Sequence, residues 1–159
     1  MNEILIETNQ DLLNYQALRL QELMAEMVQC CDERKLYESE RFHVPQAELK
    51  CLMLFNGQRY LTVKDLAGKM DVAKSRITKI VDGLVHKGLV ERIEDPKDAR
   101  VKLIGLTPAG RKASLEFDAF HKETHLSILL QISPNERKSV LSHLEMLRSA
   151  MEAVKEQLK

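Results

Sequence analysis

The sequence predicts a mainly α-helical fold in which a unit of two short helices and a two-stranded ribbon sits between long terminal helices. Three observations predict it. Apolar residues keep helical spacing over long stretches at both ends, residues 62–86 hold two short amphipathic patterns in succession, and residues 89–106 form two extended runs around a charged turn.

Residues 1 to about 37 read as one helix without Gly or Pro, with Leu12, Tyr15, Leu18, Leu23, Met27 and Cys30 or Cys31 near helical spacing. A helix this long cannot bury its apolar side against a small unit alone, so its first half is expected to meet a partner chain. Residues 39–44 form a polar connection. Pro45 stands where a first helical residue would, and the helix it opens is expected to run to about Phe55, with Leu49, Leu52, Met53 and marginally Leu54 facing inward. Asn56-Gly57 closes it.

Thr62 and Asp65 make a capping box, a hydroxyl at the N-cap and a carboxylate three residues on. The short helix it starts buries Val63, Leu66, Ala67 and Met70 and turns through Asp71-Val72-Ala73. In the next helix Ile77, Ile80, Val81, Leu84 and Val85 form one apolar stripe. The opposite face carries Ser75, Thr78, Lys79 and Asp82, flanked by Lys74 and Arg76. Short hydrogen-bonding side chains and cations along one exposed edge suit DNA. Lys87-Gly88 ends this helix, since Gly takes the left-handed conformation that closes a last turn. Residues 89–94 and 101–106 then pair as a hairpin whose tip carries Lys97 and Arg100. A helix sized for the major groove beside a cationic ribbon is a winged helix-turn-helix.

Thr107-Pro108 begins a further helix with a hydroxyl cap and Pro at its first position, continuing to about Gln131. Ser133-Pro134-Asn135-Glu136 is expected to repeat the device as a full capping box. On the last helix Val140, Leu144, Leu147, Met151, Val154 and Leu158 recur at spacings of 4, 3, 4, 3 and 4, a heptad seam. With the apolar first helix, this seam predicts a homodimer. Residues 45–107 are then the DNA-binding winged helix-turn-helix, and residues 1–44 with 108–159 the helical dimerisation region.

At 159 residues the chain fits one domain, or one compact core with extensions, and its 44% hydrophobic and 30% charged residues make it globular rather than disordered. The zero formal net charge hides a split. Residues 59–112 hold 13 Lys and Arg against 7 Asp and Glu, so the 24 of each sign in the whole chain leave 11 against 17 elsewhere. A basic middle within acidic flanks is the electrostatic footprint of a localised DNA-binding surface. No apolar run approaches the ~20 residues of a membrane span and the N-terminus lacks the order of a signal peptide, so a cytoplasmic protein with no membrane partner is expected. Three cysteines, Cys30, Cys31 and Cys51, are then expected to be free thiols.

Four motifs in register carry a family resemblance: residues 66–78, the helix ending Lys87-Gly88-Leu89-Val90, the ribbon tip Asp98-Ala99-Arg100, and the exit Leu106-Thr107-Pro108-Ala109-Gly110. Together they cover about a third of the chain, and it resembles the MarR family of bacterial transcriptional regulators. The resemblance implies a one- or two-residue strand at Leu61 as third strand of the wing sheet, and dimerisation through the first and last helices. It implies that Arg100 reaches into the minor groove while Asp98 orients it. Lys74, Arg76 and Lys79 would contact phosphates, and Ser75, Arg76, Thr78 and Lys79 are the candidates to read base edges. Two such units about a two-fold axis predict a pseudo-palindromic site in double-stranded DNA, with half-sites about 10 bp apart or a multiple of that. Repression is the default outcome.

Family members change DNA affinity in response to an effector, and three kinds stay open. A small organic ligand would enter the cleft between the dimer helices and the wing unit, lined by Met27, Met53 and Phe117. Zinc is a candidate cofactor, because His121 and His125 are i, i+4 on one helix and Cys30, Cys31, His43 or Cys51 could add ligands. An oxidant would act at Cys30 and Cys31, given a nearby cation such as Arg34 to stabilise a thiolate.

An enzyme finds little support, with no phosphate-binding glycine loop, no nucleophile elbow and no His-Glu-x-x-His order. The rival reading is a winged-helix protein-interaction module that does not bind DNA. Such a module would have no reason to keep the cations Lys74, Arg76, Lys79, Lys97 and Arg100.

Overall fold

The computed structural model describes residues 2–96, 98 and 100–158, with side chains from residue 9 onward. Along the described residues the elements run α1 (Asn2–Phe42), α2 (Gln46–Met53), β1 (Tyr60–Thr62), α3 (Val63–Met70), α4 (Lys74–His86), β2 (Val90–Glu94), β3 (Lys102–Leu106), α5 (Pro108–Leu130) and α6 (Pro134–Gln157). Two compact units divide the chain, residues 1–113 and 114–159, with the boundary inside α5.

α1 runs past the expected end into what was to be a polar connection. Nothing in residues 38–42 breaks a helix, and the buried Glu38 pairs with Arg34 one turn back while accepting from the Gln46 side chain at 2.9 Å. His43, at φ 53°, supplies the left-handed stop, and the Val44 N–H closes back onto the Ser39 carbonyl at 3.2 Å. Pro45 is the N-cap of α2 and not its first residue, because its ψ of 146° is still extended. Its carbonyl accepts from the Glu48 and Leu49 N–H groups. α2 stops at Met53, two residues short of expectation, yet Phe55 beyond it is fully buried. Asn56 and Gly57, at φ 35° and 81°, reverse the chain.

β1 is three residues long and pairs antiparallel with β3, which pairs in turn with β2, so the sheet order is β1-β3-β2. The capping box at α3 is complete: the Thr62 hydroxyl accepts from the Asp65 N–H at 3.0 Å, and the Asp65 carboxylate accepts from the Thr62 N–H at 3.0 Å. Asp71 leaves the helix in the left-handed conformation. α4 buries Ile77, Ile80, Val81 and Leu84 against Leu52, Phe55, Leu61, Leu66 and Ile104. Each fully buried aliphatic or aromatic side chain of this cluster contributes about 1.5–3 kcal/mol. Val85, expected in the stripe, is 37% exposed. It sits about 80° around the helix from Ile77, at the stripe's edge.

Thr107 caps α5. Its hydroxyl accepts from the Gly110 N–H at 3.0 Å and donates to the Gly88 carbonyl at 2.6 Å, fastening the new helix to the end of α4. The second capping box does not form: the Ser133 hydroxyl donates to the Glu136 carboxylate, while the Glu136 N–H bonds the Ser133 carbonyl. α6 buries none of its residues, and of its seam Leu144, Met151, Val154 and Leu158 are exposed. On α1, Leu12, Tyr15, Leu18, Leu23 and Met27 are likewise exposed.

Candidate nucleic-acid interface

Burial of the α4 stripe turns Lys74, Ser75, Arg76 and Lys79 to solvent, with Thr78 half-buried beside them. The Thr78 hydroxyl donates to the Lys74 carbonyl at 2.9 Å, so toward a base it has only lone pairs to offer. No side chain caps the start of α4 and no acidic residue stands in its first turn. Its free N–H groups and partial positive charge therefore add to the cations.

Asp82, the one carboxylate on this face, is neutralised by Arg92 of β2. That pair joins the helix to the wing strand. From below, the buried Glu48 of α2 pairs with Lys87, the last-turn cap of α4: its Oε1 accepts from Nζ at 3.2 Å. The sequence pattern names neither Arg92 as the partner of Asp82 nor Glu48 as a member of the site. The Glu48 to Lys87 bond spans 39 residues, and no local pattern announces it.

At the wing tip Asp98 grips Arg100 three times. Its Oδ1 accepts from the Arg100 backbone N–H at 3.0 Å and from Nε at 3.1 Å, and its Oδ2 from the far guanidinium nitrogen at 3.4 Å. The Arg100 side chain and backbone N–H hold the Asp98 carboxyl below its usual range, while the guanidinium stays 91% exposed. The cation is oriented and fully presented. Lys97 lies outside the described residues. Behind the tip, Lys102 bonds Glu94 directly across the ladder. A cleft of about 360 Å³ separates wing root from helices, lined by Thr62, Val63, Lys64, Lys74, Arg100, Val101 and Lys102.

The effector candidates differ in their exposure. Met27 is exposed on α1, Met53 half-buried at the end of α2, and Phe117 buried on α5. Cys30 and Cys31 are exposed. Cys51 is buried, and desolvation reinforced by the Glu48 carboxylate pushes its thiol up to about 12. His43 is exposed at the α1–α2 turn. His121 and His125 stand with ring centroids 5.9 Å apart; His121 packs on Phe117, and Nδ1 of His125 donates to the His121 carbonyl, which leaves Nε2 for a ligand. Within neither unit do three described His, Cys, Asp or Glu side chains gather around a common point.

The sequence model of the MarR family matches residues 44–102, the α2-to-wing stretch that carries this surface. The chain is 32% identical over 113 residues to the HTH-type transcriptional regulator YfiV of Bacillus subtilis, covering 69% of each. It is 31% identical over 99 residues to the transcriptional regulator AdcR of Streptococcus pneumoniae, covering 60% of this chain and 68% of that one. Its fold is that of Streptococcus pneumoniae FabT, solved in complex with DNA, with a TM-score of 0.73 at 19% identity over 84% of this chain and 98% of FabT. Helix order, the three-stranded wing sheet and these relatives agree: the chain belongs to the MarR family, a family of transcriptional regulators and not of enzymes.

Proposed function

We propose that the protein is a homodimeric, sequence-specific DNA-binding repressor, cytoplasmic, whose hold on DNA an effector releases or engages. The observation that carries this reading is the pairing of an uncapped, cationic α4 edge with an Arg100 that Asp98 orients and solvent surrounds. FabT, which shares the fold, was solved with DNA bound. α4 would enter the major groove and Arg100 the adjacent minor groove, with Lys74, Arg76 and Lys79 on phosphates. The unburied apolar sides of α1 and α6 support dimerisation through residues 1–44 and 108–159. A groove along α6 between Leu144, Leu147 and Met151, rimmed by Arg148, Glu152 and Lys155, has the character of a seat for a partner helix. For the effector, an organic ligand near Met27, Met53 and Phe117 is the first choice, with zinc at His121 and His125 or oxidation at Cys30 and Cys31 as the others.

The test is a fluorescence-anisotropy titration against DNA flanking the protein's own gene, at two salt concentrations, with and without zinc and a thiol oxidant. Binding that weakens steeply with salt is expected. A shift with zinc or oxidant selects the effector class, and insensitivity to both favours the organic ligand. Absence of salt-dependent binding at every condition would overturn the reading in favour of a protein-interaction module.

A further inference from the structure

We propose that the cleft behind the wing seats the sugar-phosphate backbone between the two grooves, and that Glu94 competes with it for Lys102. This rests on the DNA-binding reading above. A protein that places a helix in the major groove and a wing in the neighbouring minor groove, about 12 and 6 Å wide, must straddle the strand that separates them. In the first unit the space between those two elements is the cleft lined by Lys64, Lys74, Arg100 and Lys102. Its other lining residues, Thr62, Val63 and Val101, are neutral. Four cations around a neutral floor are opposite in sign to a sugar-phosphate backbone. Lys64 and Lys102 thereby join the interface; neither stood out in the sequence.

The four cations are not equally free. Lys64 and Lys74 make no ion pair among the described residues, whereas Arg100 is engaged by Asp98 and Lys102 by Glu94. Asp98 braces Arg100 within one turn of chain, which orients it. Glu94 stands across the ladder from Lys102 and is bonded to the ammonium itself, which lowers the carboxyl's proton affinity. Both partners are well exposed, so the pair is weak and exchange onto a phosphate is cheap. The exchange breaks the Lys102 to Glu94 pair, and that cost is subtracted from what Lys102 gains on the phosphate. Glu94 thus sets a limit on how tightly the wing root holds DNA.

The experiment measures binding of a mixed-sequence duplex by full-length protein across a salt series, since backbone contacts do not depend on sequence. Lys102→Ala is expected to weaken binding and to flatten the salt slope by about one. Glu94→Gln should tighten binding roughly three- to fivefold, the effect of no longer having to break an exposed ion pair to free Lys102. Glu91→Gln, on the same strand and without an ion pair among the described residues, controls for net charge and should change binding less. In the Lys102→Ala background the gain from Glu94→Gln should shrink to that of the control. Equal gains from the two glutamine variants, or a full gain without Lys102, would overturn the competition. Wild-type binding that Lys102→Ala and Lys64→Ala both leave intact would overturn the cleft, including the case in which a free anion occupies it. Failure of the wild type to bind would instead strike the DNA-binding reading. Thermal melts confirm that each exposed-site variant is folded.

Discussion

The carbonyl oxygen of Leu89 lies against the α-carbon of Gly110: a Cβ built on Gly110 would stand 1.7 Å from that oxygen. The same carbonyl accepts the Thr107 N–H at 3.1 Å. The start of α5 is therefore locked to the strand entry after α4 by a contact that only glycine permits.

Gly110→Ala should destabilise the protein by roughly 1–3 kcal/mol, because a backbone carbonyl cannot swing aside as a side chain would. The figure is net of the helix propensity that Ala gains over Gly, about 1 kcal/mol. Thermal or urea denaturation measures it, and an unchanged or raised midpoint would contradict the contact.

The α3 cap predicts a pH dependence. The Thr62 hydroxyl, then the Thr62 N–H, hold the Asp65 carboxyl below its ordinary range, so the native state binds that proton more weakly than the unfolded chain. The resulting stability is complete above about pH 3.9 and is lost as pH falls through the lowered native value. Asp65→Ala should accordingly be less stable than wild type at neutral pH, with the gap closing in acid. Thr62→Ala should cost about 1 kcal/mol as an N-cap loss. A gap between wild type and Asp65→Ala that stays constant down to pH 2 would remove the carboxylate from the cap.

Arg100→Ala should weaken DNA binding by about 1–3 kcal/mol while the oligomeric state holds, since the side chain is 91% exposed and supports nothing in the fold. Anisotropy titration beside analytical ultracentrifugation separates the two effects. Equal affinity would take the wing tip out of the mechanism.

Leu147→Asp with Met151→Asp should give monomers. Leu147 is half-buried and Met151 exposed within the chain, so the cost falls on the partner contact. Sedimentation equilibrium decides it, and a dimer that persists would contradict the heptad assignment.

Alkylation should sort the cysteines. Cys51 is buried with its thiol pushed up to about 12, so at pH 8 it should stay unmodified until the protein is denatured. Cys30 and Cys31 are exposed on α1 of the single chain. Mass spectrometry after iodoacetamide treatment checks this; native labelling of Cys51 would show that the core opens.

The sequence by itself determined what depends on near neighbours. Helical period fixed the buried face of α4 to within one edge residue, Val85, and the spacing of Thr62 and Asp65 fixed the start of α3. Gly88, at φ 68°, ends α4 as expected because glycine alone enters that conformation without penalty. Family likeness supplied the Asp98 to Arg100 brace, two residues apart. Where a side chain had two comparable local partners the pattern could not choose, as at Ser133, whose hydroxyl took the Glu136 carboxylate in place of the backbone. Tertiary structure alone decided the links between elements: Arg92 on Asp82, Lys87 on Glu48, Leu89 against Gly110, and Lys64 and Lys102 around one cleft. The physical reason is range. Period and capping act within a turn or two of chain, whereas a pair brought together by packing depends on strand register and helix seating, which the whole core sets at once.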